Sequence, residues 1–220
     1  ILSEPMMQVI PEPESAEGAD LHLRLTRLIG LRLCHDLGGL AGTIGNALEM
    51  LNDAGDEAAD LAGEAADMLR RRLLLWRAVL GSGEARTLGA ATGLLKGQIA
   101  SGRANLEMGD LPESAPLSET LVPLLLSAIL VAGEALPRGG VVRLAGDLRH
   151  EITILPIGAG AKWSPVLLRQ AAGAPLPANI SSRDALALWF CVSAGAAGVA
   201  FSLALPSGEA PAALVMTLPS

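Results

Sequence analysis

Between Leu21 and Leu80 the apolar residues recur at steps of three and four, and that period commits the front of the chain to long helices. Leu21, Leu25, Ile29, Leu33, Leu37, Leu40, Ile44, Leu48 and Leu51 mark one face of a first helix, expected over 19–51. The polar run Asn52-Asp53-Ala54-Gly55-Asp56 reads as a turn. Ala58, Leu61, Ala65, Leu69, Leu73, Trp76 and Leu80 then mark a second helix, over 57–80, which Gly81-Ser82-Gly83 stops. Helices joined so briefly form an antiparallel hairpin. A lone hairpin cannot bury both apolar faces. Two copies across a two-fold axis can, as a four-helix bundle. Residues 18–83 are therefore expected to form a homodimer, with Ile44 and Leu69 facing inward.

One residue of the first helix stands apart from its stripe. At about 100° per residue, His35 lies roughly 200° from both Leu33 and Leu37 and points outward. Arg32, Gly38, Gly39, Gly42 and Asn46 share its face. Each glycine inside a helix costs about 1 kcal/mol relative to alanine. Close approach of another molecule to the imidazole would account for three of them together. The alternatives are a solvated histidine, and glycines that bend the helix or pack against a neighbour. Folding the hairpin brings Arg70, Arg71 and Arg72 to the height of His35. These arginines read either as an ordinary solvated face or, Arg71 above all, as positive charge beside the histidine. His22 near the helix start and His150 in an expected hairpin turn are poorer candidates.

The pattern changes behind the hairpin. Residues 1–17, with three prolines and four glutamates, read as a flexible tail. Residues 84–220 mix helices, expected over 87–100, 118–136, 165–172 and 181–194, with strands over 104–108, 141–148, 151–157, 199–205 and 213–218. Ser118 is a candidate N-cap. Short, mostly antiparallel strands among helices give an α+β two-layer sandwich. From Ala185 to Gly208 no residue is charged. Gly195, Gly198 and Pro206 interrupt this run, so no membrane span is expected. A net charge of −7 argues against nucleic acid. Cys34 and Cys191 lack the spacing of a metal or disulfide frame, which fits the reducing cytoplasm. An initiator or a tag is expected to precede Ile1.

The segment Leu33-Cys34-His35-Asp36-Leu37, followed by Gly42, Ile44, Asn46, Leu48, Glu49 and Leu51, resembles the histidine helix of the ChpT family of histidine phosphotransferases. The dimerisation helices of two-component histidine kinases share its His-acid pair. The resemblance implies an N-terminal dimeric four-helix bundle followed by an α/β sandwich like a degenerate kinase ATPase domain. It also implies that His35 takes a phosphoryl group from a receiver-domain aspartate and passes it to another receiver. The receiver of a hybrid histidine kinase and response-regulator receivers are the implied partners, with Arg32, Gly38, Gly39, Gly42, Asn46 and Arg71 as the surface that meets them. No cofactor is expected, because the receiver brings the magnesium. Asp36 either sets the imidazole tautomer or is a surface carboxylate. Kinases carry an asparagine on the helix corresponding to 118–136; here Pro123 to Leu130 contains none, and Gly158-Ala159-Gly160 has no aspartate before it. ATP binding is therefore not expected. Gly39 replaces the Thr or Asn of kinases with phosphatase activity, and Leu40 stands where ChpT sequences tend to have proline. A non-catalytic dimeric scaffold that binds receivers is the alternative; an ATP-dependent kinase is a third reading.

Overall fold

A computed structural model describes residues 16–81, 83–177, 179–204 and 212–219, with side chains from residue 20 onward. The expected tail falls, up to position 15, outside the described residues. Helix α1 spans Ala16–Glu49 and α2 spans Leu51–Val79. The reversal is tighter than the polar run implied. Helical hydrogen bonding resumes at once, Ala54 N–H donating to the Met50 carbonyl at 2.9 Å. The break falls at Gly55, whose φ of 50° and ψ of −119° suit a residue without Cβ.

The helix expected over 87–100 is much shorter. Helix α3 covers only Leu88–Gly93, started by the Thr87 hydroxyl, which accepts from Ala90 N–H at 3.3 Å. Gly97 then adopts a φ of 73°, which ends any continuation. A short turn segment, Ile99–Gly102, follows, with Ala100 and Ser101 held at φ of 49° and 56°. The remaining elements match the sequence reading within a few residues: β1 (Ala104–Glu107), α4 (Leu121–Glu134), β2 (Gly140–Asp147), β3 (Glu151–Ile157), α5 (Pro165–Ala171), α6 (Ala185–Ala196), β4 (Ala200–Ala204) and β5 (Ala213–Thr217). The N-cap position of α4 is Thr120, not Ser118, and makes no side-chain capping bond; the Ser118 hydroxyl, two residues earlier, accepts from Leu121 N–H at 3.2 Å.

The sheet order is β1-β2-β3-β5-β4, with only the β1–β2 pair parallel among the described strands. Alternate residues point to the helices: Val142 and Leu144, Ile152 and Ile154, Leu214 and Met216 are all buried. Helices α4 and α6 cover that face, so the fold class is α+β in two layers. At the β2–β3 turn the Asp147 carboxylate accepts from the His150 ring (2.7 Å) and from Arg149 N–H (2.9 Å), which holds its pKa below the usual value. His150 thus closes a turn, as its position in the sequence suggested.

The hairpin is divided lengthwise in its burial. Its base, Leu25 and Ile29 of α1 with Leu75, Trp76 and Val79 of α2, joins the same apolar cluster as α4, α6 and the sheet. Toward the turn, Ile44 and Leu69 are half-buried, but Leu48, Leu61, Met68 and Leu73 are exposed. The stripe read from the sequence is thus covered by the second layer at the base and, toward the turn, is buried at its small residues Ala58 and Ala65 while most of its larger side chains stay exposed.

Candidate functional site

The docking of the hairpin base determines where the histidine stands. Helix α4 ends at Glu134, and its last turn lies close to the Ile99–Gly102 segment. A Cβ added at Gly133 would come within 2.6 Å of Ile99 and 3.2 Å of the Ala100 nitrogen, so only glycine allows this approach. The next residue, Glu134, then faces α1. Its carboxylate pairs with Arg32 Nη2 at 2.5 Å. One turn further along α1, His35 has 91% of its side chain exposed. Its Nδ1 lies 3.4 Å from Asp36 Oδ1, a contact at the limit of hydrogen bonding.

Leu31, Arg32, His35 and Asp36 form one wall of an open groove of about 730 Å³. Glu134, Ser164, Pro165 and the 182–184 turn form the other. Two polar groups of that wall are already engaged. Ser164 caps α5 by accepting from Leu167 N–H at 3.3 Å, and Asp184 accepts from the Ser181 hydroxyl at 2.6 Å. Burial raises the pKa of Glu134; Arg32 opposes this, while Asp184 and Asp36 add to it.

The structure brings together only part of the set expected from the sequence. Arg32, His35 and Asp36 share the groove. Gly38, Gly39, Gly42 and Asn46 lie beyond it on exposed helix surface. A Cβ on any of those three glycines would meet nothing within 4 Å, so they are not packing glycines within this chain. Arg71 is exposed and lines neither the groove nor the smaller crevice behind it. It is Arg72 that turns toward the site. It enters that crevice beside Arg32 and Asp36 and donates from Nε to Gln98 Oε1 at 3.1 Å. Arg70 pairs with Asp67 on its own helix at 3.4 Å.

Residues 88–208 match the sequence model of the histidine phosphotransferase C-terminal domain. The chain belongs to the histidine phosphotransferase family. Protein phosphotransferase ChpT of Brucella abortus (strain 2308) is 29% identical over 190 residues, covering 82% of this chain and 90% of that protein. A solved structure of a bacterial phosphotransferase superposes with a TM-score of 0.68 at 25% identity, over 89% of this chain and 95% of the other. The family match falls on the second layer, whereas the histidine lies on the hairpin before it. In this chain the two meet along the groove.

Sequence reasoning missed the groove's far wall. Glu134, Arg183 and Asp184 lie about 100 and 150 positions from Arg32 along the chain. No local pattern links them to it. The one available hint was Gly133-Glu134 at the end of an otherwise uncharged helix, where a lone acid next to a glycine needs a reason.

Proposed function

We propose that this chain is a phosphorelay intermediate that takes a phosphoryl group from a receiver-domain aspartate onto His35 and passes it to a second receiver. The observation that carries this is the imidazole itself: almost fully exposed, on a long helix, at the rim of an open groove of about 730 Å³. With Nδ1 turned to Asp36, a proton on Nδ1 leaves the Nε2 lone pair outward as the nucleophile. Nε2 attacks phosphorus, the N–P bond forms as the P–O bond to the aspartate breaks, and the electron pair leaves with the carboxylate. The Nδ1 proton of the resulting imidazolium is shared with Asp36 or lost to water. Transfer onward reverses these events. The receiver's magnesium spreads the charge of the moving group. This chain mainly supplies position.

ATP has no part in this reading. The polar residue in the middle of α4, Ser127, is fully buried and donates back to the Leu124 carbonyl at 2.9 Å. It offers nothing to a nucleotide–metal complex. The exposed apolar residues at the far end of the hairpin support a homodimer. Among the described residues no helix is long and apolar enough to cross a membrane, and we place the protein in the cytoplasm with its receivers.

Incubation with a magnesium-loaded, phosphorylated receiver tests the reading. Acid-labile, base-stable label should reach this chain without ATP and vanish in His35→Ala, and magnesium-ATP should leave the melting temperature unchanged. Binding without label would make the chain a scaffold.

A further inference from the structure

Arg32 stands three residues before His35. Residues so spaced are neighbours on a helix surface, and helical side chains lean toward the N-terminus. The imidazole therefore leans over the turn that carries Arg32, and both line the groove. Arg32 is not free to wander there: its side chain is 28% exposed and its Nη2 is fixed by Glu134 at 2.5 Å. A guanidinium has five N–H donors in a rigid fork. The ion pair uses Nη2, which leaves donors of the same planar group for another set of oxygens.

We propose that Glu134 is a positioning residue for phosphoryl transfer, holding the Arg32 guanidinium beside His35 so that its remaining donors bind the phosphoryl oxygens in transit. The proposal rests on the reading of His35 as the acceptor. Glu134 is suited to the task because its own place is fixed by the close contact of Gly133 on α4 with the Ile99 side chain and the Ala100 nitrogen. The charges around it point the same way. Asp36 and Asp184 are near enough to disfavour the ionised Glu134, and Arg32 is the cation that offsets them. A doubly charged phosphoryl group entering this groove needs a cation already aimed at it.

The test uses the full chain with phosphoramidate as a small-molecule donor, which removes any dependence on a receiver. The P–N bond of the donor breaks, ammonia leaves with the electron pair, and the imidazole gains the phosphoryl group, followed as phosphohistidine by phosphorus NMR. Arg32→Ala should slow labelling about tenfold, and Arg32→Lys, which keeps charge without the fork, should fall between it and wild type. Glu134→Gln should slow wild type about threefold and have no further effect in Arg32→Ala, because residues acting as a unit are not additive. The charge swap, Arg32→Glu with Glu134→Arg, separates positioning from simple domain tying. It should recover the melting temperature lost in either single charge reversal, but not the labelling rate. Recovery of the rate, or an equal effect of Glu134→Gln in both backgrounds, would show that Glu134 acts only through packing. Absence of label on wild-type His35 would overturn the acceptor assignment and the role of Glu134 together. Normal wild-type label with an unaffected Glu134→Gln would overturn only the latter.

Discussion

Glu134 shows how a single carboxylate is set by three side chains from two remote parts of the chain. Arg32 and Asp36 reach it from α1, Asp184 reaches it from the turn before α6, and burial is the dominant influence. Its folded-state pKa lies above the ordinary 4.5. The folded chain therefore binds more protons than the unfolded one just above that pH, and stability falls as pH rises through the folded value. Glu134→Gln should flatten this segment of a stability–pH curve from chemical denaturation and leave the protein no less stable at neutral pH. A steeper curve, or a large loss of stability at neutral pH, would mean that the ion pair outweighs desolvation. Asp147 has the opposite sign. Its depressed pKa adds stability that is present above 3.8 and lost in acid. The two cysteines differ as their neighbours dictate: burial pushes the Cys191 thiol up to about 12, whereas Cys34 is exposed.

At the scale of the element, α1 carries two signals that the sequence overlays. Its apolar period fixes which side packs, and its glycines leave part of the other side bare. Gly38, Gly39 and Gly42 face open space. Gly39→Leu should therefore raise the melting temperature, by up to about 1 kcal/mol of helix stability, since no neighbour resists the new side chain. The same leucine should obstruct a receiver that must bring its phosphoaspartate to about 3 to 3.5 Å from the attacking nitrogen. Slower transfer with higher stability marks a docking surface. Unchanged transfer would place receiver docking at the groove wall formed by α5 and the 182–184 turn instead. Helix α3 teaches the reverse. Its apolar content suggested a helix to residue 100, but Gly97 and the left-handed Ala100 and Ser101 turn the chain so that it can meet α4 at Gly133.

For the whole molecule, the second layer covers the hairpin base and leaves the far end open. Leu48 is 54% exposed, Leu61 46% and Met68 46%, on helices whose apolar period does not stop there. A second hairpin seated on this end would bury them. Leu61→Asp would place a charge in that seam, where an unpaired buried ion is strongly unfavourable. Sedimentation should show a dimer for wild type and a monomer for the variant, with the second layer still folded. A monomeric wild type would refute the bundle.

The hairpin, the outward histidine, most strands and helices and the α+β class follow from the sequence alone, because each rests on a local period or a capping residue. His35 is exposed for the reason its helical angle gave, and Gly39 is open for the same reason. The choice of Arg72 over Arg71 turned on about 100° of rotation, which a reading of height along the helix does not resolve. The engagement of Arg32 by Glu134 was decided by tertiary structure alone. It depends on how closely α4 approaches the turn at Ile99–Gly102, and that distance is set by packing between segments remote in the chain.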